Sequence, residues 1–492
     1  MDEPHLDVVI VGAGLSGIGA AYHLQQDCTD KTYKIIEARG AIGGTWDLFR
    51  YPGIRSDSDM YTLGYSFKPW PHKNAMADGA SILAYIQEAA DENNITGNIQ
   101  FHTRLTHAAW SSETQSWTLT LTHSLAGSSQ QSASTVRCNI LSICCGYYDY
   151  TQGYTPDFTG LDSFTGQVVH PQHWPEDLAY QDKKVLIIGS GATAMTLAPA
   201  LSERAAQVTI LQRSPSYVVS RPTQDPIARL LRPLLPHKIV HSIVRWKSIA
   251  LQQMIYKLSR ENPQKLKSKI LALTSKQLSA DYVAKHFTPS YNPWDQRVCA
   301  VPDNDLFEAI NQQKVTVITQ SIDKFIPQGI LLNSGQIIEA DIIVTATGLN
   351  LVRLGGIDIR VDEQPIDFAQ TYLYKGVMYS DVPNLINTFG YTNASWTLRS
   401  DLISSYLCRL LAHMDKTQTN TMTPRLQAQH QNMPQRDMLD NFSANYIKRH
   451  MQTFPKQGDQ SPWTNPQDYK TDKARLIAEP VDDGVLIFSH SK

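Results

Sequence analysis

The chain's first apolar run is Val8, Val9, Ile10 and Val11, with no polar residue among them. Such a run reads as a strand buried on both faces of a parallel sheet. It passes into Gly12-Ala13-Gly14-Leu15-Ser16-Gly17, then a helix-favouring stretch, then a second strand, Tyr33-Lys34-Ile35-Ile36, that ends at Glu37. Strand, glycine loop, helix and strand in this order predict a βαβ nucleotide-binding unit. Gly12 permits the tight turn, Gly14 lets the backbone approach a pyrophosphate, and Gly17 lets the helix lie close to the sheet. The helix N-terminus offers its positive dipole end to phosphate. Glu37, 20 residues past Gly17, stands where a carboxylate accepts hydrogen bonds from a ribose.

The pattern recurs further along. Val185-Leu186-Ile187-Ile188 is again a continuous apolar strand, followed by Gly189-Ser190-Gly191-Ala192-Thr193-Ala194, with alanine in the third glycine position. The next strand, Val208-Thr209-Ile210-Leu211, ends in Gln212-Arg213-Ser214 rather than in an acid. An arginine there pairs with a ribose 2′-phosphate that a carboxylate would repel. The first unit therefore suits FAD and the second NADPH, and two such sites in one chain imply hydride passing between two cofactors. Residues 341–348 read as a strand and glycine turn that return the chain to the first unit, and 140–146 as a similar exit. The expected fold is α/β, with two Rossmann-like dinucleotide-binding domains. The flavin domain is split, 1–145 and 341–492. The NADP domain spans 146–340 and carries a helical insert at about 222–285, where Ile239, Val240, Ile243 and Val244 recur at helical spacing.

Composition narrows the function classes. Of 492 residues, 42% are hydrophobic and 18% charged, which fits a globular chain and not a disordered one. A net charge of -2 makes nucleic acid an unsuitable partner for the whole molecule. The six cysteines form no CxxC pair and no Cys/His cluster with zinc spacing, so neither a redox dithiol nor a metal site is expected, and a reducing, cytoplasmic setting is. Val8 to Val11 is too short for a signal peptide's apolar core, and no stretch reaches the roughly 18 apolar residues of a membrane span. One region departs from the balance. Between Pro226 and Lys276 eleven Lys or Arg face one acid, Glu261. The first reading is a helical insert packed on the NADP domain. The second is a basic amphipathic segment resting on an anionic membrane surface. Two further stretches are expected to be irregular: a Gly/Ser/Gln-rich loop at 124–134, and a polar, mobile segment at 417–431.

Two longer motifs identify a family. Phe164-Thr165-Gly166-Gln167-Val168-Val169-His170-Pro171-Gln172-His173-Trp174-Pro175 resembles the FxGxxxHxxxW-P fingerprint of type I Baeyer–Villiger monooxygenases. The related N- and S-oxygenating enzymes usually carry Tyr or Phe at the position of Trp174. A second family pattern, GGxWxxxxYPGxxxD, is met by Gly43, Gly44, Trp46, Tyr51, Pro52, Gly53 and Asp57. Segments 51–70, 290–297, 390–396 and 454–458 are similar to the branch that holds the ethionamide-activating monooxygenase of mycobacteria.

The resemblance implies that ketones become esters or lactones by way of a C4a-peroxyflavin, with O2 as oxidant. Arg297 matches the active-site arginine, and Asp57 the carboxylate that orients it. Ser16, Glu37, Thr45, Trp46 and Asp57 are expected on FAD, Arg55 and Ser56 on the nicotinamide side, and Gly189 to Ala194 with Arg213 and Ser214 on NADP. Asn393, Ser395 and Trp396 belong near the flavin ring or the substrate. His170 and Trp174 are expected to link the domains and not to act as acid or base. Gln296 departs from the family, which often has lysine there, and this leaves Arg213 more of the NADP phosphate. The implied substrates are small ketones, or sulfides and thioamides oxidised at sulfur. The alternatives are an N- or S-oxygenating flavin monooxygenase and a flavin reductase that inserts no oxygen.

Overall fold

The computed structural model describes residues 5–124, 131–440 and 442–490. The first apolar run forms the strand His5–Val11, parallel to Tyr33–Ile36 on one side and to Gln131–Ile143 on the other. Val8, Val9 and Ile10 have no exposed surface, each burial contributing about 1.5–3 kcal/mol. Around these three strands a nine-stranded sheet is built. Thr103–Ser111, Ser116–Ser124 and Gln131–Ile143 extend it as an antiparallel meander. Asp358–Val361, from far along the chain, adds itself parallel to Thr103–Ser111, and Leu385–Asn387 pairs with Gln131–Ile143. The helix Trp396–Thr417 packs on the helix Leu15–Asp27, which follows the first glycine loop.

The second sheet has five strands, all parallel, in the order Val315–Thr319, Gln207–Gln212, Lys184–Ile188, Ile342–Thr345 and Gln167–Val169. The expectation that the flavin part resumes at 341 therefore shifts. Ile342–Thr345 completes the second sheet, because its four buried residues fill the slot between two other strands there. The return comes immediately afterwards. Tyr148–Gly153, leaving the first sheet, and Leu349–Leu351, coming back, pair antiparallel as a two-stranded ribbon.

The basic segment is helical, as expected, with helices Pro226–Leu231, His237–Glu261, Pro263–Thr274 and Ala280–His286. Its packing differs from the expectation. The long helix lies against the short helix Met60–Leu63 of the flavin-side segment, and Arg245 donates to the carbonyls of Tyr61 and Gly64 at 2.7 and 3.0 Å. Pro263–Thr274 turns back to the strand Val218–Arg221 of the NADP part, and Ala280–His286 packs on Val315–Thr319 of the second sheet. Residues 417–431 are not the irregular stretch expected. Thr421–Pro424 is a buried strand paired with Leu486–Ser489, because Met422 fills the first core and its N–H meets Asn384 Oδ1 at 2.8 Å. The 124–134 stretch ends as two paired strands, and its tip, 125–130, lies outside the described residues. All six cysteines are free thiols. Among the described residues no helix is long and apolar enough to cross a membrane.

Candidate active site

The first glycine loop meets the demands of a dinucleotide. A Cβ on Gly17 would collide with the carbonyl oxygen of Gly12, so only glycine brings the helix this close to the turn. The helix begins at Gly14 with no side-chain cap, leaving its first N–H groups available to an anion. Glu37 is buried and accepts from the N–H groups of Ala13, at 2.7 Å, and Arg39, at 2.8 Å. Burial raises its pKa against these bonds. Thr45 Oγ1 lies 3.1 Å from the hydroxyl of Tyr150, and half-buried Trp46 packs on the first core. Trp396 donates from Nε1 to Ser16 Oγ at 2.8 Å, so the 393–396 segment reaches the loop. Asn393, in contrast, donates to the carbonyl of Gln467 at 2.9 Å.

The second loop is more open. A Cβ on Gly191 would meet nothing within 4 Å, and the helix Ala192–Leu201 is likewise uncapped. Ser190 Oγ accepts from Ser216 Oγ at 3.1 Å, and Ala194 is buried in the sheet–helix packing. Arg213 and Ser214 are exposed where the strand Gln207–Gln212 ends, and Arg213 makes no ion pair among the described residues. This donor set fits an adenosine 2′-phosphate.

The Tyr51-Pro52-Gly53 turn joins the two halves. Tyr51 is buried in the NADP-side core, and its hydroxyl meets Thr193 of the second glycine loop; burial pushes its pKa up to about 12 despite that bond. A Cβ on Gly53 would lie 2.6 Å from Ala200 Cβ, so the turn rides directly on the second helix. Beyond it, Ser56 Oγ donates to the Ser58 carbonyl at 2.9 Å. Arg55 is held by Asp305 at 2.8 Å, while its Nε and Nη2 are buried and have no hydrogen-bond partner among the described residues. His170 behaves as a joint: its ring bridges the Gly348 carbonyl, at 3.1 Å, and the Gln172 N–H, also at 3.1 Å. Burial lowers its pKa. Trp174 packs on the NADP-side core.

Arg297 stands among Tyr446, Tyr147, Tyr148 and Asp57. Its Nε is enclosed and has no hydrogen-bond partner. Burial opposes its charge, yet Tyr446, Tyr147, Tyr148 and Asp57 hold its pKa well above the usual value. Phenols are protonated at neutral pH, so Asp57 is the one formal negative charge in that set. No ion pair within 4 Å joins Asp57 to Arg297 among the described residues, so Asp57 acts through its field and does not clamp the guanidinium. The Tyr446 hydroxyl faces Arg297 and Tyr147, and burial raises its pKa to about 12 in spite of both. Tyr147 stacks on Trp396 with ring centroids 5.5 Å apart. Two residues, Arg260 and Ser443, fix the loop that carries Arg297. Arg260 of the insert pairs with Asp295 at 3.0 Å and donates to the Pro293 carbonyl at 2.8 Å, and the Ser443 N–H reaches the Asp295 carbonyl at 2.6 Å. A cleft lined by Tyr256, Trp294, Asn393, Leu439, Phe442 and Gln467 opens beside them.

Residues 7–380 match the model of the family described as flavin-binding monooxygenase-like. The chain belongs to that family. It is 47% identical to the FAD-containing monooxygenase EthA of Mycobacterium tuberculosis over 487 residues, 99% of this chain and 98% of that protein. It is 45% identical to a probable FAD-binding monooxygenase, AlmA, of Acinetobacter baylyi, over 99% of this chain and 96% of the other. Its fold is that of an NADP-bound steroid monooxygenase, with a TM-score of 0.77 at 22% identity over 99% of this chain and all of that one. This flavin monooxygenase thus has the expected two dinucleotide-binding parts. Sequence reasoning missed Tyr147, Tyr148, Tyr446, Arg260 and Asp305. They come from four distant segments, and no local pattern marks any of them.

Proposed function

We propose that this flavin monooxygenase uses FAD and NADPH to convert ketones to esters or lactones, inserting one atom of O2 beside the carbonyl. Ketone, O2, NADPH and a proton become ester, NADP+ and water. The observation that carries the reading is the placement of Arg297: a half-buried guanidinium with an unpartnered Nε among the described residues, set near Tyr446, Tyr147 and Asp57 and reached from the first glycine loop through Ser16, Trp396 and Tyr147. The FAD in the names of EthA and AlmA and the NADP bound to the steroid monooxygenase support the same cofactor pair.

FAD bound at the first loop, with Ser16, Glu37, Thr45 and Trp46 around it, supplies the redox chemistry that activates O2 with electrons from NADPH. NADP is held by 189–194, Arg213 and Ser214, with the free donors of Arg55 on the nicotinamide side. Negative charge develops on the ketone oxygen as its carbonyl is attacked. Arg297, half-buried on a loop held by Arg260 and Ser443, stabilises that charge with little reorganisation. Asp57 adds a negative field beside the guanidinium, and the Tyr446 hydroxyl restricts where it points. A sulfide in the same cleft is oxidised at sulfur, since its lone pair needs no oxyanion support. Apolar ketones partition into lipid, and the basic segment 226–276 suits an enzyme working beside an anionic membrane surface.

FAD-loaded enzyme given NADPH, O2, linear and cyclic ketones and an aryl sulfide tests this by mass spectrometry of the products. Esters or lactones are expected. Sulfoxide alone, or NADPH consumed only to hydrogen peroxide, would point to the S-oxygenating or the reductase alternative.

A further inference from the structure

We propose that the outward face of the helical insert docks on an anionic phospholipid bilayer. Twelve large hydrophobic side chains stand exposed among the described residues, and nine of them lie between Ile227 and Leu273. On the helix His237–Glu261 the exposed positions Ile239, Ile243, Trp246, Ala250 and Met254 fall four, three, four and four residues apart, a single strip along one side. The opposite side, Val240, Val244 and Ser248, is buried against the protein. The strip is therefore surplus to the core. Leu230, in the helix Pro226–Leu231, and Leu234, in the turn leading into the long helix, are 68% and 73% exposed, and Trp246 is 73% exposed.

Charge selects the occupant. Of the eleven cations in 226–276, Arg232, Arg245, Lys247, Arg260 and Lys267 are spent on the protein's own carbonyls and carboxylates. Arg229, Lys238, Lys265, Lys269 and Lys276 have no ion pair among the described residues, and Lys257 pairs only with Glu261, itself exposed. An apolar strip with a tryptophan, set among free cations, matches the boundary between acyl chains and anionic headgroups. A second copy of the chain would cover the strip only by bringing two sets of like charges together. The flank of the same helix, through Ile249, Gln253 and Tyr256, lines the cleft that reaches Asn393. Docking thus sets the cleft beside the phase in which apolar ketones dissolve, a consequence that rests on the ketone reading above.

Flotation of the FAD-loaded enzyme with phosphatidylcholine vesicles, with and without phosphatidylglycerol, tests the docking without any turnover. The enzyme should float only with the anionic vesicles, and high salt should release it. Trp246→Ser with Met254→Ser should cut the bound fraction about tenfold, since both lose apolar area. Oxidation of a short, water-soluble ketone by that variant should stay at the parental rate, which reports an intact fold. Failure to float, or equal flotation of the variant, would overturn the proposal. So would a dimer in ultracentrifugation that the variant dissociates and that ignores vesicles. Flotation without any ester formation would instead sink the ketone reading and leave the docking standing.

Discussion

The indole N–H of Trp396 donates to the hydroxyl of Ser16 across 380 residues of sequence, at 2.8 Å. It ties the start of the helix Trp396–Thr417 to the first turn of the helix that follows the first glycine loop. Trp396→Phe keeps an aromatic ring beside Tyr147 and removes the donor, together with part of the indole's stacking area. Loss of one such bond costs about 1 kcal/mol. The flavin-release temperature should fall by a degree or two, about what that energy gives in a chain of this size. An unchanged release temperature would show that the bond does not help hold the site.

Arg213 is exposed and makes no ion pair among the described residues, so on the proposed reading its worth depends on a 2′-phosphate. Arg213→Ala should raise KM for NADPH about ten- to hundredfold, the worth of a charge-assisted hydrogen bond. NADH kinetics should not move. Steady-state rates with both nucleotides check this, and equal losses for the two would contradict the assignment.

Arg260 is a positioning residue. It holds Asp295 at 3.0 Å and the Pro293 carbonyl at 2.8 Å, two and four residues from Arg297. Arg260→Ala should lower kcat several-fold with little change in KM for NADPH, since the nucleotide loop is untouched. Arg260→Lys should restore part of kcat through the Asp295 pair. A loss of thermal stability with kcat unchanged would reduce Arg260 to a structural tie.

The insert should sense acid through His241. Its ring is buried against Tyr61, with centroids 5.5 Å apart, and its Nε2 has no partner. Burial first, then Arg245 and His237, depress its pKa from 6.5 to about 4. The folded state keeps this histidine neutral, while the unfolded chain takes up a proton below pH 6.5. Its contribution is therefore complete above pH 6.5 and is lost as pH falls toward 4, at no more than about 1.4 kcal/mol per pH unit. Melting temperatures from pH 7 to 4 should fall less steeply for His241→Phe than for the parent. Parallel curves would count against it.

The two nucleotide-binding units were legible because each is local: an apolar run, glycines at fixed offsets, and a second run within some 30 residues. Glu37 and Arg213 follow from the same register. What escaped the sequence is non-local. Asp358–Val361 joins the first sheet, yet its short alternating pattern names no partner strand. Ile342–Thr345 reads as a buried strand, but nothing in three apolar residues and a threonine says which of the two sheets it completes. The helical period of the insert was visible, whereas its docking on Met60–Leu63 depends on Arg245 meeting two carbonyls that any residue could offer. The same holds for Arg297. The family motif points to it, but the tyrosines around it lie about 150 residues away on either side.

The central claim is that Arg297 stabilises the charge formed when oxygen adds to a ketone. The direct measurement is ester formation under 18O2 by FAD-loaded enzyme carrying Arg297→Ala or Arg297→Lys, beside the parent and Asp57→Asn. The parent should place one labelled atom in the ester. Arg297→Ala should lose about 100- to 1000-fold in that rate, as when a main oxyanion donor is removed, while still consuming NADPH. Arg297→Lys should recover little, because a point charge does not replace the planar fork. Asp57→Asn should lose less than Arg297→Ala, since it acts only through its field. Labelled ester formed at the parental rate by Arg297→Ala would contradict the account.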